Sequence, residues 1–98
     1  MKPLKPDFYQ NQSVTQIQAD LNAKGYSALL IKEDPNDFLP PHRHAESHIL
    51  VVVEGEMTIT LTDQEFTMRP GDKLTVEPEV EHAARFGKNG CSYLWVEF

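Results

Sequence analysis

One stretch near the middle of the chain restricts its fold more than any other. Residues 49–53 are all apolar and mostly β-branched, so a strand formed by them must be covered on both faces. After residues 54–56, the apolar side chains of Met57, Ile59 and Leu61 alternate with threonines, which is the pattern of a half-buried strand. We therefore predict two core strands joined by a turn at residues 54–56.

Ser13 is predicted to cap a helix that continues through Lys24 and stops at Gly25, and residues 1–12 are interpreted as a loose arm or an edge segment.

Further segments of strand character follow one another at short intervals. The remaining predicted strands cover residues 26–32, 64–69, 73–77, 82–86 and 92–98, with turns at 34–37, 70–72 and 87–90. Many short strands with one short N-terminal helix predict an all-β sandwich or barrel.

Length and charge limit the classes of function. A chain of 98 residues forms one domain, and its single cysteine, Cys91, allows no internal disulfide, which is typical of a reducing compartment. The formal charge of −6 disfavours nucleic-acid binding. Residues 1–10 lack the apolar segment that is typical of a signal peptide, and no apolar run approaches the length needed to span a bilayer. We expect a cytoplasmic protein that contacts neither nucleic acid nor membrane.

Three of the four histidines lie close together in the sequence. On an extended strand His42, His44 and His48 would point to one face, which continues as Leu50 and Val52 toward the interior. A buried ring nitrogen without a partner costs about 1–3 kcal/mol, and a metal ion satisfies several such nitrogens at once. This pattern indicates a metal site.

A helical alternative places His44 and His48 one turn apart, like a pair of zinc ligands on a helix. Pro40 and Pro41 precede this segment, and the strand-like residues 49–53 follow it, so we reject the helix.

The same residues resemble the first conserved motif of the cupin superfamily. That motif has two histidines separated by one residue, then a glutamate, then a glycine; here His42 and His44 are followed by His48 in the glutamate position and by Gly55. The second motif begins Pro-Gly-Asp, as at residues 70–72, and ends at a histidine, here His82.

The resemblance alone links His82 to the other histidines, and it covers about residues 38–98. Glu77 stands where a proline is common and Glu79 where a glycine is common, so the turn before His82 departs from the usual motif. The resemblance implies a double-stranded β-helix, or jelly-roll, in which residues 1–37 form an arm, helix and first strand packed on a barrel core of residues 38–98.

The resemblance further implies a metal site made by His42, His44, His48 and His82. Since no carboxylate is in this set, iron, manganese, nickel, copper and zinc suit it better than magnesium or calcium. In octahedral geometry four ligands leave two positions for a substrate, whereas in tetrahedral zinc geometry they close the site. The sequence does not choose between these geometries.

An apolar pocket beside the metal would hold a small-molecule ligand or substrate. Its predicted lining is Phe38, Leu50, Val52, Met57, Ile59, Ala84 and Phe86. Tyr93 and Trp95 are interpreted as ordinary core residues. The resemblance implies a metal-dependent dioxygenase or isomerase acting on a small chelating substrate; a non-catalytic ligand-binding or sensing module and a structural-metal protein remain alternatives, and no catalytic residue is assigned.

We also expect a homodimer. Ile49, Val51 and Val53 need cover on the outer face of their strand, and one short helix is too small to shield a whole sheet.

Overall fold

The computed structural model describes residues 3–98, and within that range the chain forms seven strands and one helix. In chain order these elements are β1 (Leu4–Lys5), α1 (Val14–Ala23), β2 (Leu29–Glu33), β3 (Phe38–His42), β4 (His48–Leu61), β5 (Gln64–Met68), β6 (Lys73–Val76) and β7 (His82–Glu97). The predicted all-β class with one short helix is confirmed. No helix in the described residues is long and apolar enough to cross a bilayer.

Two long antiparallel strands, β4 and β7, pair along most of their length and form the centre of the fold. The first half of β4 lies between β6 and β7, in the strand order β1-β6-β4-β7-β2. The second half of β4 lies between β5 and the first half of β7, which also pairs with β3. We call these two parts the first and second half-sheets; their inner faces meet in one apolar core.

The turns predicted at residues 54–56 and 87–90 are wrong, because both segments lie inside continuous strands. The register of β4 against β7 shifts around Gly55, and Gly55 and Gly90 both have φ of 80°. A Cβ atom on Gly55 would overlap the carbonyl oxygen of Gly90. The glycines therefore mark bulges, where the strands bend from one half-sheet to the other, rather than chain reversals.

Helix α1 has the predicted ends. The backbone N–H of Gln16 donates to Ser13 Oγ at 3.1 Å, and the backbone N–H of Ser13 donates to the Gln16 side chain at 2.8 Å, which completes a capping box. Lys24 is the C-cap, and Gly25 follows it with φ of 90°.

The helix covers the outer face of the first half-sheet. Ile17 and Leu21, each 1% exposed, pack in one cluster with Ile49, Val51 and other residues of that face. Val51 is fully buried. The expectation of a homodimer rests on an uncovered face at Ile49, Val51 and Val53. This reason is wrong, because the cluster that contains the helix residues buries Ile49 and Val51 and partly covers Val53.

The N-terminal arm is held against the first half-sheet. β1 pairs with β6 and forms the edge of the sheet, which confirms the edge alternative for residues 4–5 of the predicted arm; its residues 1–2 lie outside the described part of the chain. The buried carboxylate of Asp72 accepts hydrogen bonds from the backbone N–H groups of Asp7 and Arg69, both at 2.9 Å. Tyr9 is buried and donates to Asp20 of α1 at 2.6 Å, so the arm, the helix and the sheet are joined by polar contacts.

Candidate metal centre

The first three histidines do not share one strand. His42 is the last residue of β3, His44 lies in the loop 43–47, and His48 is the first residue of β4. The register of β3 against β7 already shifts between Leu39 and His42, so alternation along a strand does not continue through this segment. The prediction of one common strand face is therefore wrong, and the segment is not a helix either.

Tertiary structure nevertheless brings three histidines together. His82 is the first residue of β7 and lies directly opposite His42 in the ladder. Their ring centroids are 4.3 Å apart, and the His44 ring is 4.8 Å from His42 and 5.3 Å from His82. One ring nitrogen from each lies within 4.8 Å of the others. We call His42, His44 and His82 the histidine cluster.

Backbone contacts determine which nitrogen two of these rings present. His42 Nδ1 lies 2.7 Å from the carbonyl oxygen of Pro40, and His82 Nδ1 lies 2.9 Å from that of Val80. A carbonyl oxygen only accepts, so Nδ1 is the donor in both rings, and in the neutral form of such a ring Nε2 keeps the free lone pair. This is the arrangement that orients imidazoles as metal ligands.

A further contact ties the loop of His44 to the turn before His82. The backbone N–H of Glu79 donates to the carbonyl oxygen of His44 at 2.7 Å. Glu79 has φ of 64°, a conformation that glycine favours. The turn thus keeps a glycine-like shape although glutamate stands at this position.

His48 lies beside the cluster but is not part of it. Its ring is 4.4 Å from that of His44 and 6.4 Å from that of His82, centroid to centroid. It is only 2% exposed, and neither ring nitrogen has a hydrogen-bond partner within residues 3–98. Its Nε2 is 3.5 Å from Glu97 Oε2, close enough for electrostatic attraction but not a hydrogen bond.

The surroundings keep two of the histidines neutral. Burial lowers the pKa of His82 below its ordinary value, although the hydrogen bond to Val80 opposes this. Burial also lowers the pKa of His48, with repulsion from His44 adding to the effect and Glu97 opposing it. Neutral imidazole is the form that binds metal ions.

This donor set fits a divalent transition metal. Three imidazoles converge, two of them with their lone pairs fixed by backbone carbonyls, and a fourth buried imidazole beside them lacks hydrogen bonds. Within the described residues the buried nitrogens without a partner are those of His48, and each costs about 1–3 kcal/mol while it stays unsatisfied.

A narrow cavity of about 50 Å³ opens beside the cluster. Of the seven residues predicted to line a pocket, five do so: Leu50, Met57, Ile59, Ala84 and Phe86. Val52 is fully buried without contributing to the wall. Phe38 is 64% exposed and lies instead in a groove of about 520 Å³ on the outer face of the second half-sheet.

The sequence reasoning missed Leu39, Tyr93 and Trp95 as lining residues. In β7, His82, Ala84 and Phe86 alternate inward at even numbers, whereas Tyr93 and Trp95 are at odd numbers. The bulge around Gly90 reverses this alternation, so that odd-numbered residues point inward after it. Recognition of the bulge in the sequence would have identified Tyr93 and Trp95 as lining residues.

Tyr93 has the character of a wall residue rather than an acid. Its hydroxyl donates to Glu33 at 2.8 Å, and its ring stacks on Phe86 at 6.0 Å. Burial and the neighbouring carboxylate of Glu33 raise the pKa of Tyr93 well above its ordinary range, so its phenol stays protonated.

Solved structures share this fold. A cupin superfamily protein from Desulfitobacterium hafniense DCB-2 is 22% identical with a TM-score of 0.68, over 74% of this chain and 66% of its own. A protein from Neisseria meningitidis is 29% identical with a TM-score of 0.63, over 76% and 74%. The DMSP lyase DddQ from Ruegeria pomeroyi DSS-3 is 19% identical with a TM-score of 0.67, over 74% and 37%. These similarities confirm the predicted jelly-roll.

The chain spans only 66% and 37% of the Desulfitobacterium and Ruegeria proteins. A comparison with curated protein sequences gives no match. The model of the AraC-like ligand binding domain matches residues 24–98, which include every histidine described above. The chain therefore belongs to the family of AraC-like ligand-binding domains, within the cupin superfamily.

Proposed function

We propose that this protein holds one divalent transition-metal ion on His42, His44 and His82 and presents it to a small chelating ligand. The observation that carries the proposal is the convergence of three ring nitrogens within 4.8 Å from two distant segments. Two of these rings are already oriented by backbone carbonyls, so metal binding requires little reorganisation.

His48 is proposed as a fourth ligand. It is buried, it lies next to His44, and neither of its ring nitrogens has a hydrogen-bond partner in the described part of the chain. A set of imidazoles without a carboxylate suits iron, manganese, nickel, copper or zinc and suits magnesium or calcium poorly.

The cavity indicates a small ligand. Its volume of about 50 Å³ gives room for roughly three or four water molecules, far less than the ~300–1,000 Å³ of sites for drug-sized ligands. A carboxylate, enol or diketone group would fit at the metal. The apolar side chains of Leu50, Ile59 and Phe86 would exclude water and orient the rest of the molecule.

The activity that we propose is that of a metal-dependent dioxygenase or isomerase on such a substrate. When bound, the metal would supply Lewis acidity and, if it is redox-active, a site for oxygen. The chain's own part is to hold the ion with neutral imidazoles and to keep the reacting group in a dry enclosure.

A second candidate is a non-catalytic module that binds or senses a small ligand. The match of residues 24–98 to a ligand-binding domain favours this candidate. A third is a structural zinc site, which would arise if His48 completed a closed tetrahedral shell.

Three further expectations remain proposals: a cytoplasmic location, the division into residues 1–37 and a barrel core of 38–98, and a homodimer. The division is supported by the packing of Tyr9, Ile17 and Leu21 on the first half-sheet. For the homodimer we now propose the outer face of the second half-sheet, where Phe38 is exposed.

Titration of the metal-free protein with Fe²⁺, Mn²⁺, Cu²⁺ and Zn²⁺, followed by assays with small carboxylates and diketones, tests these candidates. Turnover with the metal retained supports the enzyme. Saturable ligand binding without turnover supports the binding module, and stoichiometric zinc without an exchangeable water supports the structural site. Failure to bind any of these ions would overturn the metal centre.

A further inference from the structure

We infer that Glu97 is a positioning residue for the metal centre: it orients His48 and supplies, through that ring, the negative charge that the histidine ligands lack. This inference rests on the proposed metal centre. Nothing in the sequence motifs pointed to Glu97, which lies near the end of the last strand.

The backbone holds Glu97 opposite His48. These residues are direct partners in the antiparallel ladder of β4 and β7. At the next position, Ser47 and Phe98 exchange two backbone hydrogen bonds of 2.8 and 2.9 Å, which fix the end of the ladder. His48 and Glu97 are thus a pair without mutual backbone hydrogen bonds, the kind in which facing side chains come closest.

The side chains of His48 and Glu97 are also in contact. Nε2 of His48 is 3.5 Å from Glu97 Oε2, and the His48 ring also packs on Trp95 at 5.1 Å between centroids. The indole and the carboxylate come from the same strand and restrict the rotation of the imidazole. With Nε2 beside Glu97, Nδ1 is the nitrogen left for a metal, the reverse of His42 and His82.

The charge of Glu97 gives the contact a chemical role. No carboxylate belongs to the histidine cluster, so the ligands themselves carry no negative charge. The contact of 3.5 Å is not yet a hydrogen bond, and we expect Nε2–H to donate to Glu97 once a metal binds Nδ1. A carboxylate that accepts from a ligating imidazole makes the ring a stronger donor, and loss of such a partner commonly weakens metal binding about 10–100-fold. Glu97 is 43% exposed at its side chain, so it bears its charge at modest cost while His48 stays buried.

Co²⁺ titration, followed by visible absorption, tests the inference on wild type, Glu97→Gln and Glu97→Asp. We expect Glu97→Gln to weaken Co²⁺ binding about 10–100-fold and to change the absorption spectrum, with partial recovery in Glu97→Asp. Thermal unfolding of the metal-free variants shows that each is folded. The control is Glu81→Gln, which removes the same charge next to His82; Glu81 contacts Arg43 at 3.3 Å instead, and we expect nearly unchanged binding.

A double-mutant cycle shows whether Glu97 acts through His48. His48→Leu replaces the ring with an apolar side chain that tolerates burial, and in this background Glu97→Gln should have no further effect on Co²⁺ affinity. An equal loss in both backgrounds would mean that Glu97 acts on the metal directly or by charge alone, and would overturn the inference. So would a Glu97→Gln variant with wild-type affinity and spectrum. If wild type itself binds no Co²⁺, the metal centre fails and the inference fails with it.

Discussion

At the scale of the residue, the orientation of each imidazole depends on contacts that the sequence does not display. The motif positions identified His42, His44 and His82, and the structure brings these three together. The carbonyl contacts of Pro40 and Val80 follow from the local backbone path, which side-chain periodicity does not encode. The separation of His48 from the cluster has the same origin, since the loop 43–47 interrupts the strand.

Substitution of single histidines should distinguish the ligands in the histidine cluster from His48, which lies beside it. We expect His82→Ala to weaken Co²⁺ binding by more than about 100-fold, the upper end of the range for outer-shell partners, because it removes a converging nitrogen. His48→Leu should cost less, because the cluster remains complete. Calorimetric titration measures both affinities, and equal affinity of His82→Ala and wild type would contradict this assignment.

Burial of the histidines makes the stability of the metal-free protein depend on pH. The pKa values of His48 and His82 are lowered from 6.5 in the folded state, so the unfolded chain binds protons more readily. The contribution of these two histidines to the free energy of unfolding is therefore fully present above pH 6.5. It is lost progressively as the pH falls below that value. Thermal unfolding at pH 7.5 and 5.5 measures this loss; a higher melting temperature at pH 5.5 would contradict it.

At the scale of the element, the strands were predictable and their bends were not. Apolar alternation identified most strand segments, because burial of one face imposes period two. The segments around Gly55 and Gly90 were misread as turns, since glycine marks both turns and bulges and local sequence does not distinguish them. The observation that identifies a bulge is the pairing of these two segments with each other across the ladder, where Gly55 lies opposite Cys91. This pairing is a long-range contact.

The close approach at this bend predicts a large cost for a small substitution. Gly55→Ala combines a positive φ with overlap of the Gly90 carbonyl, and we expect a loss of about 3 kcal/mol in the free energy of unfolding. Gly25→Ala is the matched control, since Gly25 also has a positive φ but open space around it, and it should cost about 1 kcal/mol. Urea denaturation measures both, and equal losses would show that the contact with Gly90 does not matter.

At the scale of the whole molecule, two sheet faces differ in their cover. The helix covers the outer face of the first half-sheet. On the second half-sheet, Arg85 of β7 is the ladder partner of both Phe38 of β3 and Thr58 of β4, so these three residues lie side by side on three neighbouring strands. An amphipathic helix was predictable, but which strand face it covers depends on packing between residues about 30 positions apart or more, such as Ile17 and Ile49. The fold class was therefore evident from the sequence, and the location of any interface was not.

If the second half-sheet forms the homodimer interface, Phe38→Asp should convert a dimer to a monomer. The charge would be buried at the interface, and its desolvation would oppose association. Leu29→Asp is the control, because Leu29 is 58% exposed on β2, in the other half-sheet, and should leave the dimer intact. Sedimentation velocity gives the oligomeric state, and a monomeric wild type would remove the interface altogether.

The central claim concerns metal held by distant histidines. Protein purified without a metal-affinity tag, loaded in turn with Fe²⁺, Mn²⁺, Ni²⁺, Cu²⁺ or Zn²⁺ and then desalted, can be measured for metal content by elemental analysis. We predict that at least one of these ions is retained at one per chain by wild type and is lost from a variant combining His42→Ala and His82→Ala. Wild type that retains none of them, or a variant that retains as much as wild type, would contradict the account.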